Sequence, residues 1–268
     1  MVKLGLVHYN FPGDLETFLT YASETGFEYT ELMASDIWAG DASYAEAEAQ
    51  ARRVKEMLAE RGMRCSALAA QNDFLVTSPE EMTRQVERME QVGALASLLE
   101  VKILRVDGGW PKEGVEESQW FDLMLEGFSR SLPAAERQGL LMALDNHGLV
   151  TNDADLQVRL FQELGSDSIG ANLDTMNYRW AGHSLDKVNE FYATIAPYVL
   201  HCHLKDGRGS LADYVGTALG EGEIDLHWAV KCLQDVGYDG VWCVEYEGKT
   251  DSAEGYRKGL EWVRQHIK

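Results

Sequence analysis

Hydrophobic and polar positions along the chain alternate between two periods. Short apolar runs rich in β-branched and aromatic residues are each followed by a longer amphipathic stretch of helical period. The first run, Lys3–Tyr9, passes through a Phe-Pro-Gly turn into a helix over about Asp14–Glu24. Phe27–Met33 precedes a helix over Tyr44–Arg61, and Met63–Ala70 precedes one over Pro79–Leu99. That third helix carries a start signal, with Ser78 as N-cap, Pro79 in the first turn and Glu81 closing a capping box. Val101–Val106 leads through Asp107-Gly108-Gly109-Trp110 to a helix over Glu117–Gln138. Leu140–Leu144 leads through Asp145-Asn146-His147-Gly148 to one over Asp153–Leu164. Ser168–Leu173 runs into Asp174-Thr175-Met176-Asn177 and a helix over Leu185–Ile195. The seventh run, Tyr198–Gly207, is followed by a long Gly-rich loop and a helix over Leu226–Val236. The eighth, Gly240–Val244, ends in Glu245-Tyr246-Glu247-Gly248 before a closing helix over Ala253–Ile267.

Alternation of this kind implies a parallel sheet with helices outside it. Eight such units in 268 residues, with no Pro/Ser linker and no low-complexity segment, predict an α/β fold: a single (β/α)8 TIM barrel, one domain over residues 1–268. The alternative, an open doubly wound sheet, lacks the Gly-x-Gly-x-x-Gly turn after the first strand that would favour it.

Composition narrows the function classes. No apolar run approaches the ~20 residues a membrane span requires, and Met1–His8 turns polar too soon for a secretory signal. Cys65, Cys202, Cys232 and Cys243 show no Cys-x-x-Cys spacing, which predicts free thiols in a reduced, cytoplasmic protein. With 44 acids against 24 bases the net charge is −20, and a nucleic-acid partner is excluded because phosphate contacts need an excess of Lys and Arg. The acids lie largely in the helical stretches Tyr44–Glu60 and Ser78–Gln91, where they read as a solvated face.

Candidate chemistry centres on the seventh run. Period-2 alternation gives His201, His203 and Lys205 one face and Cys202 and Leu204 the other. Three ionisable groups on one buried face need partners or a metal. Barrel sites form at the C-terminal strand ends, which here offer Asp145, His147, Asp174, Asn177, His203, Lys205, Glu245 and Glu247. Alternation lets Asp145, Asp174, His203 and Glu245 point inward together. Three carboxylates and an imidazole at one mouth repel unless a cation neutralises them, and a mostly-oxygen set suits Mn²⁺, Mg²⁺ or Co²⁺ better than a thiolate-bound Zn²⁺. Singly, each has a plainer reading. Asp174 would cap the next loop, Asp145 would be a turn residue, and Glu245 would pair with Lys205. His8, Glu31, Asn72, Asp107 and Trp110 end the first four strands, where a one-residue change of register decides whether they line the pocket.

These residues carry a family resemblance. The motifs are Leu144-Asp145-Asn146-His147-Gly148, Leu173-Asp174-Thr175-Met176-Asn177, His201-Cys202-His203-Leu204-Lys205-Asp206, Leu219-Gly220-Glu221-Gly222-Glu223-Ile224-Asp225 and Val244-Glu245-Tyr246-Glu247-Gly248. In them the chain resembles the xylose-isomerase-like barrel superfamily of sugar isomerases and epimerases, which includes tagatose/psicose 3-epimerases, hydroxypyruvate isomerase and inosose dehydratase. The resemblance implies one divalent ion, Mn²⁺ first with Mg²⁺, Co²⁺ or Zn²⁺ as alternatives, held by Asp145, Asp174, His203 and Glu245. It further implies isomerisation or epimerisation of a keto sugar or sugar derivative through an enediolate. Glu245 would be the principal base, Asp145 its opposite-face partner, and His147 or His201 a substitute. Lys205, Arg208 and Glu247 would hold substrate hydroxyls or the developing oxyanion, with Asn177, His8 and Asp107 lining the pocket. The family's usual ligand after strand five is Glu, and the shorter Asp145 weakens a two-base scheme. The runner-up is therefore a lyase that expels a β-leaving group from a keto-cyclitol or 3-keto-glycoside, with His201 or His147 as the acid. A non-catalytic sugar-binding barrel is the third reading. Partners follow in kind: a small-molecule sugar, no nucleic acid, no membrane, and a homodimer or higher homo-oligomer.

Overall fold

A computed structural model describes residues 2–268. Eight parallel strands close into a barrel: β1 (Lys3–Val7), β2 (Tyr29–Met33), β3 (Arg64–Ala69), β4 (Ile103–Val106), β5 (Leu141–Asp145), β6 (Ile169–Asp174), β7 (Val199–Leu204) and β10 (Val241–Val244). Each pairs with its sequence neighbour in the barrel, and β10 returns to β1. Between β7 and β10 the chain adds a small antiparallel hairpin, β8 (Asp206–Arg208) and β9 (Val215–Thr217), where the sequence predicts only a Gly-rich loop.

Most of the outer helices start where the sequence supplies a cap. The outer helices are α1 (Leu15–Thr25), α3 (Tyr44–Glu60), α4 (Pro79–Leu98), α5 (Trp120–Gln138), α6 (Ala154–Leu164), α8 (Leu185–Ile195), α9 (Leu226–Asp235) and α10 (Ser252–His266). Two one-turn helices, α2 (Ala34–Ile37) and α7 (Asn177–Trp180), extend strand ends and were not foreshadowed by the hydrophobic pattern. Asp14, Ser43, Asp153, Ser184 and Asp225 accept a backbone N–H from the first turn of α1, α3, α6, α8 and α9. Ser78 does the same for α4 at 3.3 Å from Glu81 N. The expected capping box stays half made, however, because the Glu81 carboxylate turns away to Arg84 and Gln85.

The two faces of the strands differ in kind. The outward positions Leu4, Leu6, Leu32, Leu68, Leu104, Leu173, Cys202, Leu204 and Val244 pack against the helices in one large apolar cluster. Inside the barrel, by contrast, only Val7, Val241 and Cys243, with Tyr29, form a small apolar group. TIM barrels ordinarily fill that space with branched aliphatic layers. Here Glu31, Arg105, Asn172, His201 and His203 are buried in it instead.

The excursion after β7 is tied down by one side chain. Asp206 accepts backbone N–H groups from Gly207 at 2.8 Å, Gly220 and Gly222 at 3.0 Å each, and Ile224 at 3.3 Å. A Cβ at Gly222 would overlap that carboxylate, so the glycine is required by the close approach.

Candidate active site

The inward positions of β2, β4, β5, β6, β7 and β10 build one continuous network of charged and polar side chains at the C-terminal end of the barrel. Its pivot is His203. The imidazole Nε2 lies 2.6 Å from Glu31 Oε2, while Nδ1 lies 3.1 Å from Glu245 Oε2 and 3.9 Å from Asp174 Oδ2. Register shifts in the β2–β3 pairing at Glu31 and in the β6–β7 pairing at Asn172 accompany this convergence.

On one side of His203, the fully buried Lys205 ammonium gathers three carboxylates: Asp174 at 2.8 Å, Glu245 at 3.4 Å and Glu247 at 3.5 Å. Asp174 is also held by the start of α7. Its Oδ1 accepts N–H groups from Met176 at 2.8 Å and Asn177 at 3.0 Å, so it caps its loop and faces the site at once. Burial pushes the Asp174 carboxyl up to about 7, against the pull of Lys205 and with the push of Glu245. Burial works in the same sense on Glu245, but there Lys205 and His203 outweigh it and hold the carboxyl well below the usual range.

On the other side, the Arg105 guanidinium gathers three more. Its Nε lies 2.8 Å from Glu31 Oε1, and its Nη1 lies 2.5 Å from Asp145 Oδ2 and 3.5 Å from Asp107 Oδ1. Asp145 Oδ1 accepts from Asn172 Nδ2 at 2.9 Å. Burial raises the Glu31 carboxyl, yet His203, His201 and Arg105 win and lower it far below its ordinary value. For Asp107 burial prevails over Arg105, and the carboxyl is raised.

Between these groups lies a cavity of about 140 Å³ lined by Val7, Met33, Arg105, Asp145, His203 and Glu245, with Asp107 and Gln71 higher on the wall. At the mouth stand Tyr9 and Trp110, 51% and 43% exposed, with the His147 ring edge-on to both. Exposed aromatic rings beside a polar cavity offer stacking area to a ligand at little ordering cost.

The structure therefore brings together most of the expected residues, with corrections. Asp174, His203 and Glu245 each offer a ligand atom, and all three atoms lie within 4.8 Å of one another. Asp145 contributes none to that group, because Arg105 and Asn172 take both its oxygens. His201, expected as an acid, donates through Nε2 to Glu31 at 3.0 Å, away from the cavity lining, and burial lowers its pKa. His8 falls one residue beyond β1 and turns outward, stacked on Phe18 and bonded to Asp36 at 2.9 Å. Arg208 is exposed and donates to the Glu221 carbonyl at 2.6 Å. Asn177 acts through its backbone, and Glu247 stands beside the site, where Asn10 donates to it at 3.2 Å. Asn72 does not line the cavity but braces the end of β4 by a reciprocal pair with the Asp107 backbone, at 2.6 and 2.9 Å. Arg105 was not anticipated. The available signal was a lone charge in Ile103-Leu104-Arg105-Val106, two residues before Asp107 and so on its face.

The donor set suits a divalent ion. His203 has its Nε2 on a carboxylate, which fixes the ring and turns Nδ1 toward Asp174 and Glu245, the orientation usual for a metal-ligating histidine. Glu31, His201 and Cys243 form a second close group, but the guanidinium 2.8 Å from Glu31 opposes a further cation there.

Comparison with known proteins agrees with this architecture. A family model described as a xylose isomerase-like TIM barrel matches residues 19–266. An uncharacterized protein of Methanocaldococcus jannaschii is 24% identical over 157 residues, which are 56% of this chain and 53% of that protein, so the match spans about half its length. Among solved structures, D-psicose 3-epimerase of Clostridium cellulolyticum with D-tagatose superposes with a TM-score of 0.80, 15% identity and 100% coverage of both chains. The IolI protein with a bound zinc atom gives 0.79 at 16% identity, covering 99% of this chain and 98% of its own. At such identities the likeness is one of fold. No helix among the described residues is long and apolar enough to cross a membrane.

Proposed function

The chain belongs to the xylose isomerase-like TIM barrel family, and from that premise we propose that it is a divalent-metal-dependent isomerase or epimerase of a keto sugar or sugar derivative. One observation carries the reading: Asp174, His203 and Glu245 converge beside the cavity, with Glu31 orienting the histidine from behind. These three residues would hold the ion, Mn²⁺ by the hardness of two carboxylates and Zn²⁺ by analogy with IolI. Bound there, the ion would supply Lewis acidity toward a substrate carbonyl.

The chain's own groups do the rest. Glu245 is ionised and lines the cavity, so it can take the proton from the carbon beside that carbonyl. Lys205, 2.8 Å from Asp174 and 3.4 Å from Glu245, holds the Glu245 carboxyl in its ionised form. His147, across the mouth, can return a proton to the other face or to oxygen.

A second reading is favoured by one feature. With Asp145 committed to Arg105, no free carboxylate faces Glu245 as a second base. The same proton removal followed by loss of a β-leaving group, protonated by His147, would make the protein a lyase.

The test is proton exchange followed by NMR. Metal-stripped protein, with Mn²⁺ or Zn²⁺ restored or withheld, is incubated in D₂O with ketoses, inososes and 3-keto-glycosides. Metal-dependent deuterium uptake beside the carbonyl, with the skeleton intact, is the expected result. Uptake with an enone and a released group moves the assignment to the lyase. Failure of the protein to bind any divalent ion would overturn both.

A further inference from the structure

We propose that Asp145 anchors Arg105 and does not complete the metal set, and that Arg105 becomes the group meeting substrate on that wall of the cavity. The proposal rests on the metal-dependent reading above and departs from the four-ligand arrangement that the resemblance implies.

Every hydrogen-bonding atom of Asp145 is occupied. Oδ2 receives Arg105 Nη1 at 2.5 Å, Oδ1 receives Asn172 Nδ2 at 2.9 Å, and the main-chain carbonyl receives Thr151 Oγ1 at 2.6 Å. A carboxylate one methylene shorter than Glu has little reach to spare, and none of its atoms falls in the group formed by Asp174, His203 and Glu245. Arg105 is held as firmly. Glu31 pairs with it across 2.8 Å at Nε without a hydrogen bond, Asp145 and Asp107 share Nη1, and the residue is 6% exposed. A guanidinium stays charged in such surroundings and keeps its planar fork.

Nη2 meets no oxygen among the described residues. Its recorded partner is the Met33 thioether at 4.0 Å, and both Arg105 and Met33 line the cavity. A buried N–H donor without a strong acceptor carries a desolvation penalty that a ligand oxygen would relieve. The ligand chemistry that fits is an oxygen on which negative charge develops, as the carbonyl oxygen of a keto sugar does when its neighbouring proton is removed. A fixed guanidinium donor aimed at such an oxygen favours the charge without reorganising. The Arg105–Asp145 pair would thus serve from the β4–β5 side, while the ion acts from the β6–β7–β10 side.

Mn²⁺ titration followed by the electron paramagnetic resonance of free Mn²⁺ separates the cases. Asp145→Asn is expected to bind within about tenfold of the natural protein, and Asp174→Asn to bind at least about 100-fold more weakly, beyond the range typical of residues that only support a ligand. Equal losses in the two variants would overturn the proposal and leave the metal-dependent reading intact. Absence of Mn²⁺ and Zn²⁺ binding by the natural protein would remove both. If Asp145→Asn does not fold, the double variant Arg105→Met/Asp145→Leu, which removes both partners of the buried pair, decides: Mn²⁺ binding within about tenfold of the natural protein supports the proposal, and a loss of at least about 100-fold overturns it. Arg105→Lys, which keeps the charge and loses the fork, is expected to retain Mn²⁺ while lowering kcat/KM for deuterium uptake by about 10²-fold. Unchanged uptake in that variant would exclude substrate contact by Arg105.

Discussion

Two clusters of the same composition flank His203, and they are built for different work. Lys205 stands among Asp174, Glu245 and Glu247, and Arg105 stands among Glu31, Asp107 and Asp145. Each is three carboxylates around one cation. An ammonium is a compact charge on a flexible stem, and no planar geometry binds it to its partners. Its carboxylates are therefore free to turn toward a second cation. A planar guanidinium bonded through Nη1 to Asp145 and ion-paired with Glu31 and Asp107 holds these acids around one rigid plane. Equal charge counts thus give one exchangeable site and one permanent wall, with His203 touching a carboxylate of each.

The largest effect that would break this contrast is chemical. Glu245→Gln removes the proposed base and is expected to lower metal-dependent deuterium uptake by about 10²–10⁴-fold; a variant that exchanges normally would shift the base elsewhere. Next are the two cations. Arg105→Met leaves buried acids unpaired and is expected to cost about 3–5 kcal/mol in urea unfolding. Lys205→Met is expected to lose stability too, but to regain most of it with Mn²⁺, because ions that bind only the folded state stabilise it. Equal rescue of both variants would abolish the distinction between the clusters. Smaller again is Glu31→Gln, which frees the back of His203 and is expected to weaken Mn²⁺ binding about 10–100-fold.

Proton linkage sharpens the same comparison. The Asp174 carboxyl is pushed up to about 7 by burial, so folding binds a proton there between its ordinary pKa of about 4 and about 7. Stability contributed by this group is then present at low pH and falls as pH rises to about 7 in metal-free protein. Mn²⁺ affinity moves the other way and rises over the same window, since a ligating carboxylate must be ionised. Urea unfolding and Mn²⁺ titration at matched pH values check the opposite signs. The smallest effect is at the mouth. Trp110→Ala is expected to leave stability within about 0.5 kcal/mol while weakening sugar binding, which calorimetry reads directly.

The barrel was legible because its signal is local and repeated. Outward Leu and Val positions, caps such as Ser43 and Asp153, and turn sequences all specify their own elements. The cluster around Lys205 was legible for the same reason, since His203, Lys205 and Glu245 occupy the inward positions of two adjacent strand ends. The Arg105 cluster was not. It joins residues of β2, β4 and β5, and Glu31 and Asp145 are separated by 114 positions, so only cross-strand register reveals that one guanidinium spans them. His8 failed for the smallest reason: β1 ends at Val7, and one residue of register turned the imidazole away from the cavity.

Asp206 gathers Gly207 at one end of the post-β7 excursion and Gly220, Gly222 and Ile224 at the other. Between these ends Asp206 and Gly207 pair with Thr217 and Gly216, and Ala218 and Leu219 return to the core, so only the tip of the excursion lies outside the collar. The tip carries Leu211 and Val215, each about half exposed, on the same end of the barrel as Tyr9 and Trp110. Such a segment is a replaceable part. Descendants of this chain can lengthen, shorten or rewrite it, and so change what the mouth admits, while the collar and the barrel beneath remain as they are.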